Sequence, residues 1–253
     1  AATWLLKKNK RLAVIIVCPY QHLVEQWVED IERFGFRPVI AFSSSPQKKW
    51  KERLKDEVID FNLEIEDTIC LVTTNATYTS KYVQEQIGKI EGDILIVVDE
   101  AHNFGAMRLS RYLRDDIKYR LALSATLERH GDEEGTQALY SYFGNKCIEY
   151  DLKRAIDEDK LTKYYYHPII VSLSDDELEK YRELSAKISK ACKYNEDGKA
   201  ELSEAVKTLL IQRSRIVAGA IEKIAVLKEL MKDYVNDNQI LVYCGATKPY
   251  NPA

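Results

Sequence analysis

Five short apolar runs limit what this chain can fold into. They are LAVIIVC at 12–18, RPVIAF at 37–42, TICLVT at 68–73, DILIVV at 93–98 and YRLAL at 119–123. Their apolar residues are consecutive and do not alternate with polar ones. That is the pattern of strands covered on both faces, as in a parallel sheet. Helical spacing fills the gaps between them. Leu23, Val24, Trp27, Val28, Ile31 and Phe34 repeat along one helix face after the first run, and Trp50, Leu54, Val58 and Phe61 do so before the third. Strand, helix, strand, helix predicts an α/β fold, a parallel-sheet domain over residues 1–150.

The pattern changes after Phe143-Gly144. DLKRAIDEDK at 151–160 reads as a connector, so a linker is expected over 151–163 and a second domain over 164–253. The expected elements there begin with a strand at 164–173. A helix follows, opened by a Ser174/Glu177 capping box, with Leu178, Tyr181, Leu184 and Ile188 on one face. NEDG at 195–198 is a turn signal. A helical region over 200–233, interrupted near Gly219, leads to a last strand at 239–244.

Composition excludes little. The 253 residues are 45% hydrophobic and 30% charged, ordinary for a globular protein. The longest apolar run is LAVIIVC, far short of the about 20 residues a membrane helix needs. The opening AATWLLKKNKR has no signal-peptide pattern, and a cytoplasmic location is the expectation. Five scattered cysteines with no CxxC pair suit reduced structural thiols. The net charge of −3 advertises no general affinity for nucleic acid. The basic clusters Lys48, Lys49, Lys51, Arg53, Lys55 and Arg108, Arg111, Arg114 read as solvated faces. Trp4, Trp27 and Trp50 read as core or half-buried anchors, and His22 and His130 as surface residues.

One run ends unusually. ILIVVDEAH at 94–102 drives an apolar strand into adjacent carboxylates. In an open parallel sheet, ligands bind beyond the carboxyl ends of the strands. Asp99 and Glu100 would emerge there, one to hold magnesium and the other to orient an attacking water. The alternative is that the pair opens a helix and complements its dipole. A second strand end, Leu121-Ala122-Leu123-Ser124-Ala125-Thr126, lies 22 positions on (124 − 102), with Ser124 and Thr126 in reach of His102 across neighbouring strands.

These motifs resemble those of superfamily 2 helicases and translocases, the DEAD/DEAH-box motors. Residues 99–102 are similar to the DEAH (Walker B) element and 124–126 to the SAT motif. VCPYQHLVEQW at 17–27 resembles motif Ia, VTTNATY at 72–78 motif Ib, and ILVYCGAT at 240–247 the strand that opens the second motor domain. The segment from Phe143 onward resembles the type III restriction-enzyme motor (Res subunit) and XPB-like branch. The resemblance implies two RecA-like domains, the second represented by its helical start. It implies ATP and magnesium as cofactors. Asp99 would hold Mg2+ through water, and Glu100 would polarise the hydrolytic water. His102, Ser124 and Thr126 would couple nucleotide state to domain closure. Pro19, Tyr20, Gln21, Thr73, Thr74 and Asn75 would line the nucleic-acid track, touching phosphates and leaving bases unread. DNA is implied over RNA, with a nuclease or methylase partner outside this chain and no membrane.

A phosphate-binding loop, G-x-x-x-x-G-K-[ST], is absent. Gly88-Lys89 has Ile90 where Ser or Thr belongs and Val83 where the first glycine belongs. Gln212-Arg213-Ser214-Arg215 lacks the glycine of an arginine-finger motif and reads as helix surface. The expectation is a piece of a longer motor that hydrolyses no ATP by itself. A binding scaffold derived from such a motor is the alternative. A hydrolase using Asp99, Glu100 and His102 as three metal ligands would have poor geometry at that spacing.

Overall fold

Every side chain of Leu12–Cys18 is buried, because this strand projects into two separate cores. Ala13, Ile15 and Val17 enter one, with Leu54, Val58, Phe61, Val83 and Leu139. Leu12, Val14, Ile16 and Cys18 enter the other, with Leu5, Val24 and Ile31. The period-2 alternation of a strand thus becomes an unbroken apolar run when helices cover both faces. Burial of each Val, Leu or Ile stabilises the fold by about 1.5–3 kcal/mol.

The computed structural model of the protein describes residues 1–129, 131–194, 200–201 and 203–243. They form two compact units, Ala1–Asp151 and a second from Leu152 onward. In the first unit, α1 (Ala2–Asn9) precedes β1 (Leu12–Cys18), α2 (Gln21–Arg33), β2 (Val39–Ala41) and α3 (Trp50–Asn62). Next come β3 (Thr68–Thr74), α4 (Asn75–Tyr78), α5 (Lys81–Ile87) and β4 (Ile94–Asp99). A 3-10 turn (Ala101–Gly105), α6 (Met107–Ser110), β5 (Tyr119–Leu123) and α7 (Glu133–Phe143) complete it. The strands are all parallel, in the order β2-β3-β1-β4-β5. This is the α/β class expected from the apolar runs.

The chain leaves β1 toward β2 on one side and leaves β4 toward β5 on the other. The carboxyl ends of β1 and β4 therefore flank the topological switch point, where doubly wound sheets bind ligands. At the β2 edge, the Gln47 side chain stands in for a further strand. Its Oε1 accepts from Ile40 N at 3.0 Å and its Nε2 donates to the Pro38 carbonyl at 3.2 Å. Satisfying an edge in this way blunts unwanted pairing. β2 is shorter than the run 37–42, because Pro38 has no N–H and pairing with β3 covers three residues.

The second unit holds α8 (Leu152–Asp157), α9 (Asp175–Ala191), a short antiparallel pair β6 (Lys193–Tyr194) and β7 (Ala200–Glu201), α10 (Glu204–Ala218) and α11 (Glu222–Leu230). The Ser174/Glu177 capping box is present. Glu177 is buried and does two jobs: one carboxylate oxygen accepts from Ser174 N at 2.9 Å, the other from Ile221 N at 3.0 Å, tying the start of α9 to that of α11. Glu177→Ala leaves both part-buried donors without their acceptor, and an unsatisfied donor costs about 1–3 kcal/mol at most when fully buried. Urea unfolding of the chain is expected to show a loss of up to that size, and a smaller one for Glu177→Gln, which keeps one acceptor.

Several expectations fail. Residues 164–173 are not a strand, and Ile170 is 95% exposed. Strands persist only when paired, Pro168 removes a donor, and among the described residues nothing pairs with this segment. Residues 239–243 form no strand either. Cys244, His130 and the 195–198 turn lie outside the described residues. Trp4 is 63% exposed and no core anchor. No helix among the described residues is long and apolar enough to cross a membrane.

Candidate functional site

Asp99 is the last residue of β4, beside the end of β1, at the switch point. Both of its oxygens are engaged. Oδ1 accepts from the backbone N–H of Glu100 at 2.9 Å, and Oδ2 accepts from the indole N–H of Trp27 at 2.9 Å. Trp27 sits on the sheet-facing stripe of α2, which carries it to the strand end. Sequence reasoning placed Trp27 on that stripe but missed this contact; its position one helix after the first strand was the available signal. The Cys18 thiol is pushed up to about 12, by burial first and then by the negative charge of Asp99. It stays protonated and unreactive at neutral pH. Trp27→Phe keeps the packing and removes the donor. A loss of about 1.5–3 kcal/mol in thermal or urea unfolding is expected, the size of one hydrogen bond to a charged group.

Glu100 turns the chain off the strand in the left-handed region, φ 48° and ψ 49°. A non-glycine residue there is uncommon and held by its surroundings. Its carbonyl accepts from Asn103 N and Asn103 Nδ2, each at 3.0 Å. Its carboxylate lies 3.2 Å from His102 Nδ1.

His102 Nδ1 is also 3.1 Å from Ser124 Oγ. The Ser124 hydroxyl donates to the Thr126 carbonyl at 3.0 Å, so its one proton is spent. A proton on Nδ1 would have both Ser124 Oγ and the Glu100 carboxylate within reach as acceptors. The register Asp99↔Leu123 between β4 and β5 makes the contact, since it sets the two strand-end loops side by side. Thr126 contributes through its backbone: its N–H donates to Ser124 Oγ at 3.3 Å, and its side chain is exposed.

A second layer supports this loop. Arg129 donates through Nη1 to the His102 carbonyl, and through Nε to Asp132 Oδ2 at 2.7 Å. Asp132 caps α7 by accepting from Gly135 N at 2.8 Å. Arg129 and then that N–H hold the Asp132 carboxyl below its ordinary range. Gly105 and Gly135 bring the 3-10 turn and α7 into backbone contact: a Cβ on Gly135 would lie 2.5 Å from both Asp132 Oδ2 and the Gly105 carbonyl.

A cleft of about 920 Å³ opens beyond the carboxyl ends of β1, β2 and β3. Of the six track residues expected from sequence, Pro19, Tyr20, Gln21 and Thr74 line it. Two do not. Thr73 is fully buried and donates to the Ala41 carbonyl at 2.7 Å, so its hydroxyl joins β3 to β2. Asn75, the first residue of α4, is not part of the lining although Ala76 and Thr77 of the same turn are, and its Oδ1 is buried. Sequence alternation could have found Thr73, the inward neighbour of Thr74 on β3. The lining also holds Lys48, Lys49, Trp50 and Lys51.

Among the described residues, no three His, Cys, Asp or Glu side chains converge as a metal cage. Asp99, half-buried with lone pairs beyond its two hydrogen bonds, fits Mg2+ held by one carboxylate, water and phosphates. Glu100 and His102 face each other, which does not suit a three-ligand site.

Residues 1–129 match the family model described as "Type III restriction enzyme, res subunit". No curated protein matches the sequence. Among solved structures, the chain is similar to a nuclease-deletion mutant of the Type ISP restriction-modification enzyme LlaGI in complex with a DNA substrate mimic. That match has 15% identity and a TM-score of 0.44, and covers 75% of this chain and 19% of that one. The chain is also similar to the Hef helicase domain of Pyrococcus furiosus, with 21% identity, a TM-score of 0.44, and coverage of 74% and 39%. A de novo designed protein of P-loop NTPase fold matches with 13% identity, a TM-score of 0.31, and coverage of 61% and 99%.

Proposed function

Because the chain belongs to the type III restriction enzyme Res-subunit family, within the superfamily 2 helicases, we propose that it is part of an ATP-dependent motor moving on DNA. The observation that carries this reading is the link from Glu100 through His102 to Ser124, joining the two strand ends beside the switch point. In phosphoryl transfer a protein mainly positions groups and stabilises charge. Asp99 would hold Mg2+ through water, and the ion would supply charge neutralisation for the phosphates of ATP. Glu100 accepts a proton from the attacking water. His102 ties the Glu100 carboxylate to Ser124, so a shift of the SAT loop moves the group that orients water. Pro19, Tyr20, Gln21 and Thr74 hold the nucleic acid. Residues 1–150 are the first motor domain, 151–163 a linker and 164–253 the start of a second. A nuclease or methylase acts from outside this chain, in the cytoplasm.

The test is Glu100→Gln in a motor that joins these residues to a phosphate-binding loop. The amide keeps the shape and cannot take the proton. ATP turnover is expected to fall about 10²–10⁴-fold, the usual share of a general base, with nucleic-acid binding retained. Unchanged turnover would remove Glu100 from the mechanism. The isolated chain, whose sequence has no G-x-x-x-x-G-K-[ST], is expected to show no turnover.

A further inference from the structure

The lysines at 48, 49 and 51 look in the sequence like a solvated face. The fold instead places all three on the wall of the cleft that Pro19, Tyr20, Gln21 and Thr74 line. The wall is built rigidly. Gln47, immediately before it, is clamped to the β2 edge by both ends of its amide, and its N–H donates to Ser45 Oγ at 3.1 Å. Trp50, the first residue of α3, is half-buried and meets Tyr82 edge to face at 6.2 Å. The Lys51 ammonium lies 5.7 Å from the Trp50 ring and 5.6 Å from the Tyr82 ring, which holds it at the cleft.

The charge there opposes that of the whole chain. The protein is −3 overall, yet the cleft carries three lysines against one carboxylate, Glu52. Glu52 lies 3.5 Å from Lys49 with both side chains exposed, a pair that contributes little and yields to a competing phosphate. Tyr20 is 62% exposed and stacks on His22 at 5.6 Å, leaving an aromatic surface at the cleft. Cations along a groove with an exposed aromatic ring suit a single strand of nucleic acid, phosphates on the lysines and a base on the ring.

We infer that Lys48, Lys49 and Lys51 form a second bank of the track, contacting the phosphates of one nucleic-acid strand opposite the 19–21 loop. The inference rests on the reading that the 19–21 loop and Thr74 face nucleic acid. The experiment measures binding of a labelled oligothymidylate to the purified chain by fluorescence anisotropy across a salt series. Each phosphate contact to a single strand contributes about 0.7 to the log–log salt slope, so K48A/K49A/K51A is expected to weaken binding and flatten the slope by about 2. K7A/K8A/K10A, the same charge change on exposed residues at and just after α1, is expected to leave the slope alone. Equal effects of the two triples would reduce the bank to general electrostatics and overturn it. Tyr20→Ala separates the two levels. Binding that is weakened by Tyr20→Ala but unmoved by K48A/K49A/K51A overturns the second bank alone. No binding by the unaltered chain, or none of it sensitive to Tyr20, overturns the reading beneath it as well.

Discussion

Phe104→Ala is expected to destabilise the sheet unit by about 3–5 kcal/mol, the range for emptying a buried aromatic site. Phe104 is completely buried, two residues beyond His102. It meets Tyr78 edge to face at 5.9 Å, and the Tyr78 hydroxyl donates to the Tyr112 carbonyl at 3.0 Å. The ring therefore pins the turn after Glu100 onto the core. Removing it leaves a cavity under the loop that carries His102. Urea unfolding followed by circular dichroism measures the loss. Phe104→Leu, which refills much of the space, should recover a good part of it. A loss below about 1 kcal/mol for the alanine variant would mean that the loop holds itself without the core.

Gly135→Ala is the second large effect, from a single methyl group. That methyl would sit 2.5 Å from the Gly105 carbonyl and from the Asp132 carboxylate that caps α7. Backbone cannot yield as a flexible side chain can, so α7 and the 3-10 turn must part. Overpacking of about 1–3 kcal/mol adds to the loss of a cap, about 1 kcal/mol, for an expected total of about 2–4 kcal/mol. Parting the elements also draws Arg129 from the His102 carbonyl. In a complete motor, ATP turnover should fall alongside stability, whereas Glu100→Gln lowers turnover with stability kept. Wild-type stability in Gly135→Ala would show that the two elements separate freely.

The helix pattern was legible wherever one face is buried. Leu54, Val58 and Phe61 of α3 sit in the core their spacing predicts. Residues 164–173 failed for a different reason. Tyr, Ile and Val favour strands, but a strand needs a neighbour, and composition cannot supply one. Thr73 and Thr74 differ by one position of β3: its alternation sends Thr74 to the cleft and Thr73 into the sheet.

By itself the sequence determined the α/β class and the identity of the groups at the strand ends, Asp99, Glu100, His102 and Ser124. Apolar periodicity and local motifs are properties of neighbouring residues and survive in a string of letters. Tertiary structure alone decided what those groups touch. The indole of Trp27 reaches Asp99 across 72 positions of chain, and the ring of His102 reaches Ser124 across 22. Lys48, Lys49 and Lys51 became a cleft wall because Gln47 docks on a sheet edge. Such contacts depend on strand order and register, which arise only when both faces of the sheet are covered together.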